Sequence, residues 1–135
     1  VVFFSCLGGD FDVEHARMET LMGGRPESGK KTTIVFEAKV CKPAKHLEFV
    51  AVQANQQFYE VVASYMPNGR ENADFEKGQR VFLVTQGPAQ LPQDTEKELV
   101  FPDVKAEAHI IYRKRGKLKV RAIEKFDEKN VLQAP

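Results

Sequence analysis

Two cysteines and no tryptophan occur in 135 residues. Two cysteines are too few for a disulfide framework, and Cys6 and Cys41 each sit in an apolar run, where a free thiol behaves as a small core residue. The missing tryptophan lowers the ceiling on any function that stacks a planar ligand. Neither sign of charge prevails, because 20 Lys and Arg against 19 Asp and Glu leave a net charge of +1. Overall charge therefore does not call for a polyanion, and distribution must decide. Val1 to Leu7 is apolar but only about a third of the ~20 residues of a membrane span, with no basic flank. The chain does not begin with Met, which fits prior removal of a transit or signal segment. There is no internal repeat and no low-complexity tract.

Catalytic patterns are missing as well. His15, His46 and His109 stand in separate elements with no Cys or carboxylate at metal-ligand spacing, and no hydroxyl or thiol has a nucleophile's context. Asp10 and Asp12, on a glycine-flanked loop, read as surface residues rather than an acid/base dyad. Gly24-Arg25-Pro26-Glu27-Ser28-Gly29-Lys30 matches G-x-x-x-x-G-K, but Lys31 replaces the required Ser or Thr and a strand follows instead of a helix. It reads as a basic loop. A non-enzymatic protein without metal or cofactor is expected.

What the chain does hold is alternation. With 42% hydrophobic residues it can bury a single core as one domain. Thr32 to Val40 places Ile34, Phe36, Ala38 and Val40 on one face, the period of a half-buried strand. Lys42 to Lys45 breaks it, His46 to Val52 is a second β-rich run, and Gln53 to Met66 has helical spacing through Phe58, Val61, Val62, Tyr65 and Met66. Phe75 to Gly78 ends a linker, and Arg80 to Thr85 is a further strand. Upstream, Val1 to Leu7 reads as an opening strand leaving through Gly8-Gly9. Asp10 to Gly29 reads as a long loop with a weak helical stretch around Glu14 to Met22. Downstream, Gly87 to Glu98 has the composition of an exposed loop. Leu99 to Phe101 enters a returning strand, Val104 to Ile110 alternates, and Gly116 turns the chain into Leu118, Val120 and Ala122. Phe126 to Pro135 gives no firm signal. These elements predict an all-β fold with one inserted helix. The specific expectation is an OB-fold, a five-stranded Greek-key barrel with an extra C-terminal strand, over residues 1–125, followed by a C-terminal extension at 126–135. An SH3-like barrel has no room for a helix of about four turns.

The strongest charge feature is Tyr112 to Arg121, with Arg113, Lys114, Arg115, Lys117, Lys119 and Arg121 around a turn and no acidic residue. Such a cluster can neutralise several phosphates, or protect an edge hairpin from aggregation. Loops joining the first two and the last two strands of an OB barrel flank its binding face, so Lys30 and Lys31 are expected to share a groove with this hairpin. Single-stranded bases also need aromatic platforms. Phe49 and Phe82 are the candidates, with Lys39 and Arg80 beside them.

The order and spacing of these parts resemble the bacterial and mitochondrial single-stranded-DNA-binding-protein family of OB folds, over roughly Val1 to Ile111. The resemblance rests on the opening strand ending in Gly8-Gly9, Ser28-Gly29 before an alternating strand, and the run Phe49 to Val52. It also rests on Phe75-Glu76-Lys77-Gly78-Gln79-Arg80-Val81-Phe82, similar to the family's leucine/phenylalanine-x-lysine-glycine-x-x-valine-tyrosine segment. By that likeness Leu47 and Gln53 fall where the family has stacking aromatics, and Phe82 where it has a tyrosine on the nucleic-acid face. Pro67 to Ala73 is an insertion, and the acidic tail of bacterial members is missing. The departures suit a divergent relative, similar to the OB-fold interaction proteins of kinetoplastid mitochondrial RNA editing or to an OB-fold subunit of a mitochondrial ribosome, rather than a housekeeping DNA-coating protein. The resemblance thus implies a mitochondrial protein, single-stranded RNA or DNA as ligand with RNA slightly favoured, other OB-fold proteins as homo- or hetero-oligomeric partners, and no membrane. A different reading makes the chain a protein-interaction scaffold that docks through Val35, Leu47 and Phe49.

Overall fold

The computed structural model describes residues 10–23, 30–41, 47–65 and 78–133. Eight strands and one helix occur there: β1 (Phe11–Met22), β2 (Lys30–Val40), β3 (Leu47–Ala54), β4 (Gln57–Tyr65), β5 (Arg80–Pro88), α1 (Gln93–Glu98), β6 (Ala108–Lys114), β7 (Lys117–Ile123) and β8 (Glu128–Gln133). They form one sheet in the order β7-β6-β3-β4-β5-β2-β1-β8, curled into half a barrel. All neighbours pair antiparallel except β1 with β8, which are parallel. The all-β expectation with a single helix holds in this form.

Alternation sets the inner face. Ile34, Phe36, Ala38 and Val40 of β2 are buried, as expected, and meet Val81 and Leu83 of β5, Val52 of β3 and Ile110 of β6 in the main core. Ile34 N–H donates to the buried Thr85 hydroxyl at 2.8 Å, so the one polar side chain facing inward from β5 is satisfied. Phe126 closes the core from the far end, its ring 6.2 Å from that of Phe36. A second, smaller cluster lies on the outer face of β3, β6 and β7, where Leu91 and Leu99 cover Ala51, Ile111, Leu118 and Val120. The segment carrying α1 therefore lies across that half of the sheet. No such cover lies over the outer face of β1, β2 and β5 among the described residues.

Several expectations are corrected. Asp10 to Gly29 is not a loop with a helical stretch, because its residues 11–22 form β1, the longest strand. A bulge between Val13 and His15 shifts its alternation, so Ala16 and Met18 face inward on the far side of it. The expected helix from Gln53 to Met66 is not found over its described residues, 53–65. Asn55 and Gln56, at φ 52° and 62°, make a two-residue turn and return the chain as β4. Its partner β5 carries a bulge at Gln86, between the residues that face Val61 and Glu60. The helix stands instead in the expected exposed loop, after Pro92, with Asp94 and Glu96 in its first turn and Lys97 in its last, each complementing the helix dipole. Leu99 to Phe101 joins no strand. Cys41 is disulfide-bonded rather than a free thiol. Residues 126–133, which gave no signal, contribute the buried Phe126 and the whole of β8. The opening run 1–7, the Gly24 to Gly29 motif, Lys42 to Lys45 and the Pro67 to Lys77 stretch lie outside the described residues.

Candidate functional site

Curling brings the start of β1 against the inner side of β6 and β7, and long charged side chains bridge the seam. Asp10 is buried and receives the Lys114 ammonium, the Lys119 ammonium at 3.4 Å and the Tyr112 hydroxyl at 3.2 Å. Arg121 reaches Asp12 at 3.4 Å. Burial pushes the Asp10 carboxyl upward, but the Lys114 hydrogen bond and charge, then Lys119 and Tyr112, outweigh it and hold the group below the usual aspartate value. The same contact acts in reverse on Tyr112, whose phenol is pushed up to about 12 by burial and by the Asp10 charge. On the outer side Arg113 turns to Glu98 at 3.4 Å and to the Thr95 hydroxyl. Four of the hairpin's six cations thus face carboxylates of the same chain.

Arg115 and Lys117 remain at the exposed tip, where Arg115 and Gly116 have φ of 53° and 76°. Lys30 and Lys31 do not share a groove with this tip. They pair with Met22 and Leu21, the last residues of β1, whereas the hairpin meets β1 at Asp10 and Asp12. Eleven residues of strand separate the ends, roughly 35 Å along the sheet. Lys31 instead borders a separate cavity of about 520 Å³ with Asn55, Tyr59 and Gly87.

Phe49 is no exposed platform either. It packs against the main core, 5.5 Å from Phe11 and 6.4 Å from Tyr112 between ring centroids. Leu47, expected on the surface, is buried in that core. The bulge between Phe49 and Ala51 explains both, because it turns Leu47 and Phe49 inward while Ala51 faces out.

Three predicted residues do come together, on the uncovered outer face of β1, β2 and β5. Val81 and Leu83 are buried inside, so Arg80, Phe82 and Val84 point outward, half-buried or exposed. Lys39 pairs with Arg80, Glu37 with both His15 and Phe82, and Val35 with both Arg17 and Val84. Paired residues share a face. Phe82 therefore lies in a row with Glu37 and His15, flanked by a row of Asp12, Lys39 and Arg80 and a row of Arg17, Val35 and Val84. A cavity of about 340 Å³ opens there, lined by Glu14, His15, Arg17, Glu37, Arg80 and Phe82 among others. Arg80 has a long contact to Glu14 at 4.0 Å, and His15 lies 3.4 Å from Asp127 and 3.9 Å from Glu128. Arg17 Nε is buried with no hydrogen-bond partner among the described residues. Arg17 and Glu37 were not singled out in the sequence, because the loop reading of β1 hid their cross-strand proximity.

A second histidine site is closed. His109 Nδ1 pairs with Gln53 Oε1 at 2.9 Å, the ring meets Phe101 edge-on at 4.8 Å, and burial lowers its basicity. Among the described residues no cluster of His, Cys, Asp or Glu is arranged to hold a metal ion, and no helix is long and apolar enough to cross a membrane. No protein-family model matches the chain, and neither do curated proteins or solved structures.

Proposed function

We propose that this chain is a non-enzymatic module that binds single-stranded nucleic acid on the outer face of β1, β2 and β5, with RNA slightly favoured. The observation that carries the reading is an outward, half-buried Phe82 between Lys39 and Arg80 on one side and Arg17 on the other, on a face without cover among the described residues. A ring for stacking and cations for phosphates are the two parts such a site needs. The basic hairpin is not that site, since four of its six cations already face carboxylates of the chain, three of them across the seam. The chain then stands as a divergent relative of the OB-fold binders, with β4 where the family has its helix. A mitochondrial nucleoprotein assembly is its setting in this reading, supported by the sequence resemblance alone.

Fluorescence anisotropy with a labelled single-stranded 12-mer tests it. Three phosphate-neutralising cations give a slope of log K against log salt of about −2, where six from the hairpin would give about −4. Arg17→Glu with Lys39→Glu should abolish most binding, and Arg115→Glu with Lys117→Glu should change little. The reverse order would overturn the choice of face.

A specific observation also favours the protein-docking scaffold. Edge strand β8 exposes Val131 and Leu132 beside the exposed Leu21, and an open apolar edge is a template for strand addition. If the 12-mer fails to bind at low salt while Val131→Lys dissociates a complex with another OB-fold protein, that reading replaces the first.

A further inference from the structure

We infer that the cavity over Phe82 selects guanine among the bases of a bound strand, an inference that rests on the single-strand reading above. Two complementary groups in it are without partners among the described residues. Arg80 leans toward Glu14, and His15 lies between Asp127 and Glu128. Arg17 Nε, by contrast, is buried and unsatisfied. Glu37, half-buried in the adjoining row, has neither ion pair nor hydrogen bond among the described residues. A polar N–H left without a partner in a folded protein is a reason to look for a ligand that supplies an acceptor. Here a donor and an acceptor stand side by side, on neighbouring rows of the same sheet face, with an aromatic ring between β2 and β4 as the floor.

The bases differ in how they meet that pair. A carboxylate fixed in place is fully used only by two adjacent donors, the geometry of a bidentate, charge-assisted contact. Guanine presents N1–H and N2–H side by side, and its O6 and N7 are acceptors suited to an arginine. Adenine offers the N6 amine beside an acceptor. Cytosine offers the N4 amine beside an acceptor, and uracil a single N–H between two carbonyls that would face the Glu37 oxygens. Only guanine satisfies Glu37 and Arg17 together while stacking on Phe82. The cavity's volume of about 340 Å³ is at the small end of ligand sites, suited to one base rather than a run of them.

The test uses the whole chain and uridine 12-mers carrying one central guanosine, inosine or adenosine, compared by anisotropy at fixed salt. The guanosine oligomer should bind about ten-fold or more tightly than the adenosine one, the discrimination of one good bidentate contact. Inosine, which lacks only the N2 amine, should lose most of that advantage. Glu37→Gln should bring the guanosine-to-adenosine ratio close to one. Guanosine monophosphate, titrated in parallel, should bind at least about ten-fold more weakly than the guanosine 12-mer, because the strand adds phosphate contacts. Equal affinity of wild type for all three oligomers overturns the selectivity and leaves the single-strand reading intact. A ratio that survives Glu37→Gln overturns the assignment of that carboxylate. Binding of none of the oligomers overturns the single-strand reading, and the selectivity with it.

Discussion

Replacing Asp10 by Ala should open the seam of the half-barrel, and its magnitude follows from the partners it abandons. The Tyr112 hydroxyl is buried and would be left unsatisfied, a loss of about 1–3 kcal/mol. Lys114 and Lys119 would lose their counter-charge, but their side chains retain 23% and 40% exposure and can turn to water. The ~3–5 kcal/mol of a fully buried broken pair therefore does not apply. A total of about 2–3 kcal/mol is expected, read by urea denaturation at pH 7, with a fall in Tm of roughly 5–15 °C for a domain of this size. Because the folded Asp10 carboxyl titrates below its usual value of 3.8, its contribution is full above that pH and disappears as pH falls through the folded value. The gap between wild type and variant should therefore narrow below about pH 4. A double-mutant cycle with Lys114→Met should give a coupling of about 0.5–3 kcal/mol. A loss under about 0.5 kcal/mol at pH 7, the range of ordinary surface changes, or an unchanged gap at pH 3, would refute the ion-pair account of closure.

Tyr112 should show a phenolate step near pH 12 in absorbance at 295 nm, absent in Tyr112→Phe. Since that value is raised above 10, the stabilisation it reports is complete below pH 10 and is lost as pH climbs toward 12, which alkaline denaturation would check. Gln56→Gly, at φ 62°, should stabilise the β3–β4 turn by about 0.5–1 kcal/mol. In a helix the same change would destabilise by about 1 kcal/mol, so the sign from thermal melts decides between the two structures. Phe82→Ala should weaken oligonucleotide binding by about 1–3 kcal/mol with little change in Tm.

The strands legible in the sequence are those whose alternation runs unbroken. Ile34 to Val40 and Arg80 to Thr85 could be read residue by residue, as could the β6–β7 turn, where Gly116 supplies the positive φ. The two failures have different causes. In β1 the extra residue Glu14 moves the chain by one and sets Val13 and Ala16 three apart on one face. β4 alternates without a break, with Tyr59, Val61 and Ala63 inward, but apolar Phe58 and Val62 on its other face fill in the spacings of three and four that read as a helix. The Asn55-Gln56 turn lacks the glycine that would have announced it. β8 left no trace because its partner is β1, a pairing that local pattern cannot disclose. The site was half legible for the same reason. Lys39, Arg80 and Phe82 sit on readable strands, whereas Arg17 sits on the strand mistaken for a loop and Glu37 has its meaning only opposite it. The hairpin's charge was read as a cluster, but Asp10 and Asp12, which absorb half of it, come from the far end of the chain.

The parallel pairing of β8 with β1 also orders events during synthesis. Asp127, whose carboxylate accepts the Ala16 N–H at 2.7 Å, follows it by 111 residues. At about 5–20 residues per second, the ribosome needs several seconds or more to deliver that partner. Over that interval the outer edge of Arg17 to Met22 is an unpaired strand margin carrying Met18 and Leu21, the kind of surface on which nascent chains join one another. A chain whose synthesis stops before Glu128 would have most of its sheet and an adhesive margin where β8 belongs. Its fate would be aggregation or chaperone capture rather than a slightly weakened fold.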